Sequence, residues 1–97
     1  MARWSVPEDT LRHIYEKHGD LIKALKIRSI AEFREVIMRI LENPDEVHVD
    51  KFRRYVRYFL KKIDDLWINV VLLNNIVKTA YLLSSKSYRK FEEKRWL

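Results

Sequence analysis

The chain has 97 residues, of which 47% are hydrophobic and 35% are charged. This length and composition are those of one globular domain, residues 1–97, and they exclude a disordered chain. Cysteine is absent, which excludes disulfides, thiol catalysis and cysteine-ligated zinc. The longest apolar stretch, residues 66–73, is too short to cross a bilayer, and residues 1–7 lack the apolar stretch of a signal peptide. We therefore expect a cytoplasmic protein with no membrane partner.

Positive charge is concentrated in the second half of the chain. The net charge is +6. Residues 1–50 carry 8 basic and 10 acidic residues, whereas residues 51–97 carry 12 basic and 4 acidic residues. This asymmetry indicates one electropositive face and a polyanionic partner. A solvated basic surface without a partner explains the charge equally well.

Two helices are predicted near the N-terminus. Residues 5–8 have the Ser-x-x-Glu spacing of a capping box, and apolar residues follow on one helical face up to His18. Gly19 is expected to end this helix in a left-handed conformation. Residues 29–32 form a second capping box, and the second helix is expected to end at Asn43-Pro44.

From Glu46 the apolar period changes to two, which predicts strands. A short strand at 47–49 precedes strands at 53–63, 66–73 and 76–83, separated by Asp64-Asp65 and Asn74-Asn75 turns. The predicted fold is α+β, with two N-terminal helices packed on a four-stranded antiparallel meander. The tail from residue 85 carries Tyr88, Phe91 and Trp96 and predicts a short amphipathic helix.

Two-residue turns would fix the register of the last three strands. Lys61 would pair with Ile68, and Ile68 with Tyr81. One face would then carry Arg53, Tyr55, Arg57, Phe59, Lys61, Ile68, Val70, Leu72, Val77, Thr79 and Tyr81. We expect the helices to cover the other face, which leaves this one open for RNA phosphates and bases. The alternative is an ordinary solvent face, and a one-residue change in either turn would exchange the faces.

The histidines are the candidate acids and bases. His18 continues the apolar stripe of the first helix, whereas His13 points away from it, and His48 is expected to point outward from a strand. For each of them a purely structural role is the alternative. Two histidines five residues apart do not match a zinc helix, and a single glycine excludes a glycine-rich phosphate loop. No metal or cofactor is expected.

The order of these motifs resembles a known nuclease group. The helix reading Leu-Arg-His-Ile-Tyr-Glu-Lys-His at 11–18 comes first, followed by a helix ending Leu-Glu-Asn-Pro-Asp-Glu-Val at 41–47. A basic aromatic strand, an apolar strand and the sequence Val-Lys-Thr-Ala-Tyr at 77–81 complete the pattern. Residues 7–82 resemble the phage-type branch of the barnase, EndoU, colicin and RelE nuclease superfamily, the BECR fold.

This resemblance implies a toxin-type endoribonuclease that works without metal. A base takes the proton of a ribose 2′-OH, that oxygen attacks the adjacent phosphate, and cations stabilise the developing charge. By position the resemblance assigns catalytic roles to His13, His18, Thr79 and Tyr81. This assignment does not fit the predicted sheet directly. The first helix would pack on the sheet face opposite to the one that carries Thr79, so its histidines could reach the site only around a sheet edge.

The RNA-binding residues come from the predicted sheet register. They are Arg53, Tyr55, Arg57 and Lys61, with RNA as the partner and a small acidic antitoxin as a second partner. The alternatives are a non-catalytic RNA- or protein-binding module on the same fold, and a phage or mobile-element accessory protein. The sequence does not indicate an oligomeric state.

Overall fold

The computed structural model describes residues 4–93, with side chains from Trp4 to Arg89. The helices are α1 (Glu8–Lys17), α2 (Gly19–Ala24), α3 (Ile30–Glu42) and α4 (Ser85–Glu93), and the strands are β1 (Glu46–Val49), β2 (Val56–Ile63), β3 (Leu66–Leu73) and β4 (Ile76–Leu83). The strands form one antiparallel sheet in the order β1-β2-β3-β4. This confirms the α+β class, the meander and the C-terminal helix. Trp96 and the side chain of Phe91 lie outside the described residues.

The second capping prediction is confirmed and the first is wrong. The Ser29 hydroxyl accepts a hydrogen bond from the Glu32 backbone N–H at 3.1 Å, which caps α3. Ser5 does not cap α1, which begins after Pro7 without a side-chain cap. Instead, the backbone of Ser5 pairs with the start of β4, since its N–H donates to Asn75 and its carbonyl accepts from Val77. A strand-like pairing of the N-terminal segment therefore replaces the predicted capping box.

A short helix, α2, follows α1 directly and was not predicted. Gly19 begins this helix and has no positive φ, so the expected left-handed cap at Gly19 is wrong. The chain turns at His18 instead, with φ −109° and ψ 59°. None of the helices within residues 4–93 is long and apolar enough to span a bilayer.

Both β-hairpins have the predicted two-residue turns. Asp64 and Asp65 have φ values of 49° and 65°, and Asn74 and Asn75 have φ values of 51° and 66°. Two successive positive φ values are those of a type I′ turn, whose twist matches that of the flanking strands. The β2–β3 register is therefore as predicted, with Lys61 opposite Ile68.

The β3–β4 register is shifted by one residue. Leu72 pairs with Val77 as predicted, but Val71 pairs with Thr79, which leaves Lys78 as an extra residue in β4. This β-bulge reverses the facing of every later side chain in the strand. Tyr81 consequently lies opposite Asn69 rather than Ile68.

The helices cover the sheet face that was predicted to be open. Together with Leu11 and Ile14 of α1 and Phe33 and Ile37 of α3, a group of sheet residues forms the main core. These sheet residues are Phe59, Ile68, Val70, Leu72, Val77 and Ala80. The prediction was wrong because Arg57 and Lys61 suggested a wet surface. In the structure, Arg57 is exposed, and Lys61 bonds the Asn43 carbonyl at the end of α3 with its ammonium group.

The second hairpin turn should respond strongly to substitution at Asn75. We expect Asn75→Val to lower the free energy of unfolding by about 1–2 kcal/mol, because a left-handed backbone is costly for a side chain branched at Cβ. Asn75→Gly should maintain or raise it. Urea unfolding measures both. Asn43→Val, at an exposed position with φ −142°, is the control and should change stability less than Asn75→Val does.

Candidate nucleic-acid interface and active site

The face of the sheet turned away from α1 and α3 is rich in polar aromatic residues. We call it the outer face, and its cross-strand neighbours follow from the register. Its residues are Glu46, His48, Val56, Tyr58, Leu60, Lys62, Trp67, Asn69, Val71, Leu73, Ile76, Thr79, Tyr81 and Leu83. α4 packs on one end of this face through Tyr88. Elsewhere on this face Asn69 and His48 are buried, and the hydroxyl-bearing residues Tyr58, Thr79 and Tyr81 are half-buried.

The bulge brings Thr79 and Tyr81 onto the outer face. They lie on the same strand two positions apart, and Thr79 is opposite Val71, the partner of Tyr58. They do not share a face with Arg57 and Lys61, contrary to the prediction, because the extra residue Lys78 reverses the end of β4. The two hydroxyls thus lie together, but with a different set of neighbours.

His18 approaches the outer face around the edge of the sheet. Its ring centroid lies 6.3 Å from that of Tyr81, with the rings tilted by 33°. α1 packs against β4, the edge strand, so the end of this helix lies beside Tyr81. His13 is exposed, two residues from the buried Leu11 and on another side of α1. The sequence prediction placed His13 ahead of His18, and of these two histidines His18 is the one that lies beside Tyr81.

Asn69 holds the hydroxyl of Tyr81. Its side chain is fully buried, and its Nδ2 donates to the Tyr81 hydroxyl oxygen at 3.0 Å. The Asn69 Oδ1 atom has no hydrogen-bond partner among the described residues. Because the Tyr81 oxygen accepts from Asn69, its own proton can be donated to a ligand.

A cationic loop adjoins the outer face between β1 and β2. We use this name for residues 51–55, Lys-Phe-Arg-Arg-Tyr, all of which are exposed. Phe52 is 88% exposed and Tyr55 is 51% exposed, and large aromatic side chains in solvent are typical of binding surfaces. Arg53 and Tyr55 precede β2 in this loop rather than lying on the sheet, and Arg57 follows as an exposed residue of β2.

Asp50 connects the cationic loop to the outer face. Its Oδ1 accepts from the backbone N–H groups of Phe52 at 2.9 Å and Arg53 at 3.1 Å, while its Oδ2 accepts from the Tyr58 hydroxyl at 2.7 Å. The Tyr58 hydrogen bond, followed by the one from Phe52, lowers the pKa of Asp50. Burial, followed by the bond to Asp50, raises the pKa of Tyr58 to about 12. At neutral pH the carboxylate is charged and the phenol is protonated, so this bond is intact.

Lys61 serves the fold rather than the predicted RNA surface. Its ammonium group donates to the Asn43 carbonyl oxygen at 2.9 Å and lies 3.7 Å from the Asp45 carboxylate. A cation at this position stabilises the negative end of α3. Arg53, Arg57 and Lys61 therefore do not form one exposed face.

Sequence reasoning missed His48 and Glu46. His48 is buried, contrary to the outward position predicted for it, and its Nε2 lies 2.8 Å from Glu46 Oε1. Glu46 and His48 are two positions apart on one strand, and this spacing was a signal that they share one face. Among residues 4–93, no three histidine or carboxylate side chains are grouped to hold a metal ion.

Comparison with known proteins gave no matching family model, no matching curated protein and no matching solved structure.

The Tyr58–Asp50 bond predicts a particular alkaline pH dependence. Because the folded protein holds the Tyr58 proton until about pH 12 and the unfolded chain releases it near pH 10, this residue's stabilisation is present below pH 10. It is lost as pH rises from 10 towards 12. We expect Tyr58→Phe to lose less stability than wild type over this range in urea unfolding. Tyr55→Phe, at an exposed tyrosine, should follow wild type, and a Tyr58→Phe curve parallel to wild type would contradict the account.

Proposed function

We propose that this chain is a metal-independent endoribonuclease whose active site is the outer face near Thr79 and Tyr81. The observation that carries the proposal is the position of His18 beside Tyr81, at the β4 edge of the outer face. An exposed cationic loop adjoins the β1–β2 part of the same face through Asp50 and Tyr58. The resemblance of residues 7–82 to the BECR nucleases leads to the same activity.

The cationic loop is suited to binding a single-stranded RNA. The charged groups of Lys51, Arg53 and Arg54 can meet successive phosphates, while the exposed rings of Phe52 and Tyr55 can stack on bases. Asp50 limits the freedom of this loop through its two backbone hydrogen bonds, which reduces the entropy lost on binding.

The proposed reaction needs only groups of this chain and solvent water. The His18 imidazole takes the proton of a ribose 2′-OH, and the 2′ oxygen then forms a bond to the adjacent phosphorus. The bond from phosphorus to the 5′ oxygen breaks, this oxygen takes up a proton from water as it leaves, and His18 returns its proton to the solvent. Tyr81 and Thr79 donate hydrogen bonds to the phosphate oxygens, and the arginine side chains of the loop bind other phosphates of the same strand. The products are a 2′,3′-cyclic phosphate and a 5′-hydroxyl end.

A non-catalytic RNA-binding domain is the second candidate. It is favoured by the cationic loop, which is complete without His18 and would bind RNA whether or not the strand is cut. In either case we propose a cytoplasmic protein. For the nuclease we also propose a small acidic antitoxin as its partner, since an acidic protein complements the charge of this loop.

RNA affinity should depend steeply on salt and on the loop arginines. For single-stranded RNA the logarithm of the binding constant falls with the logarithm of salt by about 0.7 per phosphate contacted. The Arg53→Ala/Arg54→Ala variant should therefore have a slope shallower by about 1.4. Arg12→Ala/Arg39→Ala, which removes the same charge from exposed helix positions, should retain the wild-type slope. Fluorescence anisotropy with an oligonucleotide measures all three, and equal slopes would contradict the proposed surface.

Cleavage should depend on His18 and not on His13. In single-turnover assays of a mixed-sequence RNA in EDTA, His18→Ala should be slower by about 10²–10⁴-fold, the usual cost of losing a general base. His13→Ala, on the same helix, should cleave within a few fold of wild type, and Tyr81→Phe should be slowed with RNA affinity unchanged. Circular dichroism checks the folding of each variant.

Two outcomes separate the candidates. A folded His18→Ala protein that cleaves at the wild-type rate would remove this histidine from the mechanism. If wild type binds RNA through the cationic loop and does not cut it, with or without ribosomes, the binding-domain candidate replaces the nuclease.

A further inference from the structure

Tyr88 of the C-terminal helix makes an aromatic contact with one end of the outer face. Tyr88 of α4 stacks on Trp67 of β3, with ring centroids 4.3 Å apart and planes 10° from parallel. The Tyr88 hydroxyl donates to Oε2 of Glu46 on β1. Leu60 and Leu83 form the apolar surroundings of this contact. The covered position thus has an aromatic plane and a carboxylate at its edge.

This arrangement has the chemistry of a nucleobase site. A base held by a protein stacks on an aromatic side chain, and the polar edge of the base forms hydrogen bonds with nearby side chains. Trp67 supplies the stacking plane and Glu46 supplies acceptors at its edge. The Glu46 carboxylate is oriented by His48, whose Nε2 lies 2.8 Å from Oε1. Oε2 accepts from the Tyr88 hydroxyl, and Oε1 retains a second acceptor site beside its His48 bond, so both oxygens can accept from a ring that lies on Trp67.

The attachment of α4 is compatible with exchange of Tyr88 for another ring. The helix follows β4 through Ser84, whose hydroxyl accepts from the backbone N–H of Ser87 at 3.1 Å. Among the described side chains of α4, Ser85, Lys86 and Arg89 are exposed, and Tyr88 packs into the cluster around Trp67. Within the described part of α4, one side chain thus holds the position that a base would take.

We propose that Trp67 and Glu46 form a nucleobase subsite that takes guanine, and that Tyr88 occupies it when no RNA is bound. Guanine presents two adjacent N–H donors on one edge, which a carboxylate can accept together. Adenine presents one amino group beside a ring nitrogen that is an acceptor. The lone pair of this nitrogen would face the carboxylate and be repelled by it. The subsite rests on the proposed function in taking RNA as the natural ligand, but its test needs no cleavage.

Mononucleotide binding tests the subsite directly. The Trp67 indole N–H resonance is followed while guanosine, inosine and adenosine monophosphates are added to wild type and to Tyr88→Ala. The Tyr88→Ala protein should bind guanosine monophosphate about tenfold more tightly than wild type, because the competing ring is gone. Inosine monophosphate, with one donor fewer, should bind less tightly, and adenosine monophosphate least.

Matched variants identify the carboxylate. Tyr88→Ala/Glu46→Gln should lose the preference for guanosine over adenosine monophosphate, while Tyr88→Ala/Glu42→Gln, changed at an exposed glutamate of α3, should retain it. A Tyr88→Ala protein that gains no affinity over wild type, or that binds both nucleotides equally, would overturn the proposal. If circular dichroism shows Tyr88→Ala to be unfolded, wild type decides the question. In that case guanosine monophosphate must shift the Trp67 resonance of wild type and must not shift that of Glu46→Gln. No shift in wild type refutes the subsite.

The two proposals fail separately. A chain that does not cleave RNA but shows the guanine preference retains the subsite and loses the nuclease proposal. A chain that cleaves RNA through His18 without any guanine preference retains the nuclease and loses the subsite.

Discussion

The extra residue at Lys78 determines which side chains of β4 can take part in a site. Before the bulge, Val77 lies in the core beside Leu72, and after it Ala80 returns to the same core. In a regular strand, residues three positions apart point to opposite faces, so Ala80 would lie on the face opposite Val77. The bulge breaks that alternation, fills the core with two apolar residues of β4, and sends Thr79 and Tyr81 to the outer face.

The rest of the candidate site follows from this placement. α1 must pack over β4 to bury Leu11 and Ile14, and its end then reaches the edge strand, where His18 meets Tyr81. Asn69 lies opposite Tyr81 and bonds its hydroxyl. A helix on one face of the sheet thereby contributes an imidazole to the other face, because the contact lies at an edge rather than through the sheet.

The cationic loop, at another part of the outer face, is both strongly charged and held in place by hydrogen bonds. The cationic loop concentrates positive charge in five consecutive exposed residues, 51–55, among which the backbone would otherwise be free to move. The Asp50 carboxylate bonds two backbone N–H groups of this loop and the hydroxyl of Tyr58. An acidic residue directly before a basic segment therefore preorganises the segment through its backbone and not through its side chains. Part of the positive charge predicted for the open face has a different use, since Lys61 binds the end of α3.

Local signals in the sequence predicted both hairpin turns and one of the two capping boxes, whereas those at Ser5 and Gly19 failed. Paired Asp and Asn residues predicted both type I′ turns, and Ser29 with Glu32 predicted the start of α3. The choice of sheet face was not predicted in the same way. In residues 77–81 the adjacent polar residues Lys78 and Thr79 interrupt the apolar alternation, and this interruption was the local signal of the bulge that sequence reasoning did not use. The covered face was misjudged because each face mixes apolar and polar residues, and only burial of Phe59, Ile68 and Val70 against the helices separates them.

The account rests on the claim that RNA meets the outer face and the cationic loop. Backbone amide shifts of the labelled protein during titration with a single-stranded oligonucleotide in EDTA test this claim most directly. We expect the largest changes at residues 51–58 and 79–81 and at His18, with small changes along the exposed sides of α1 and α3. Changes concentrated on α3, with residues 51–58 and 79–81 unaffected, would contradict it.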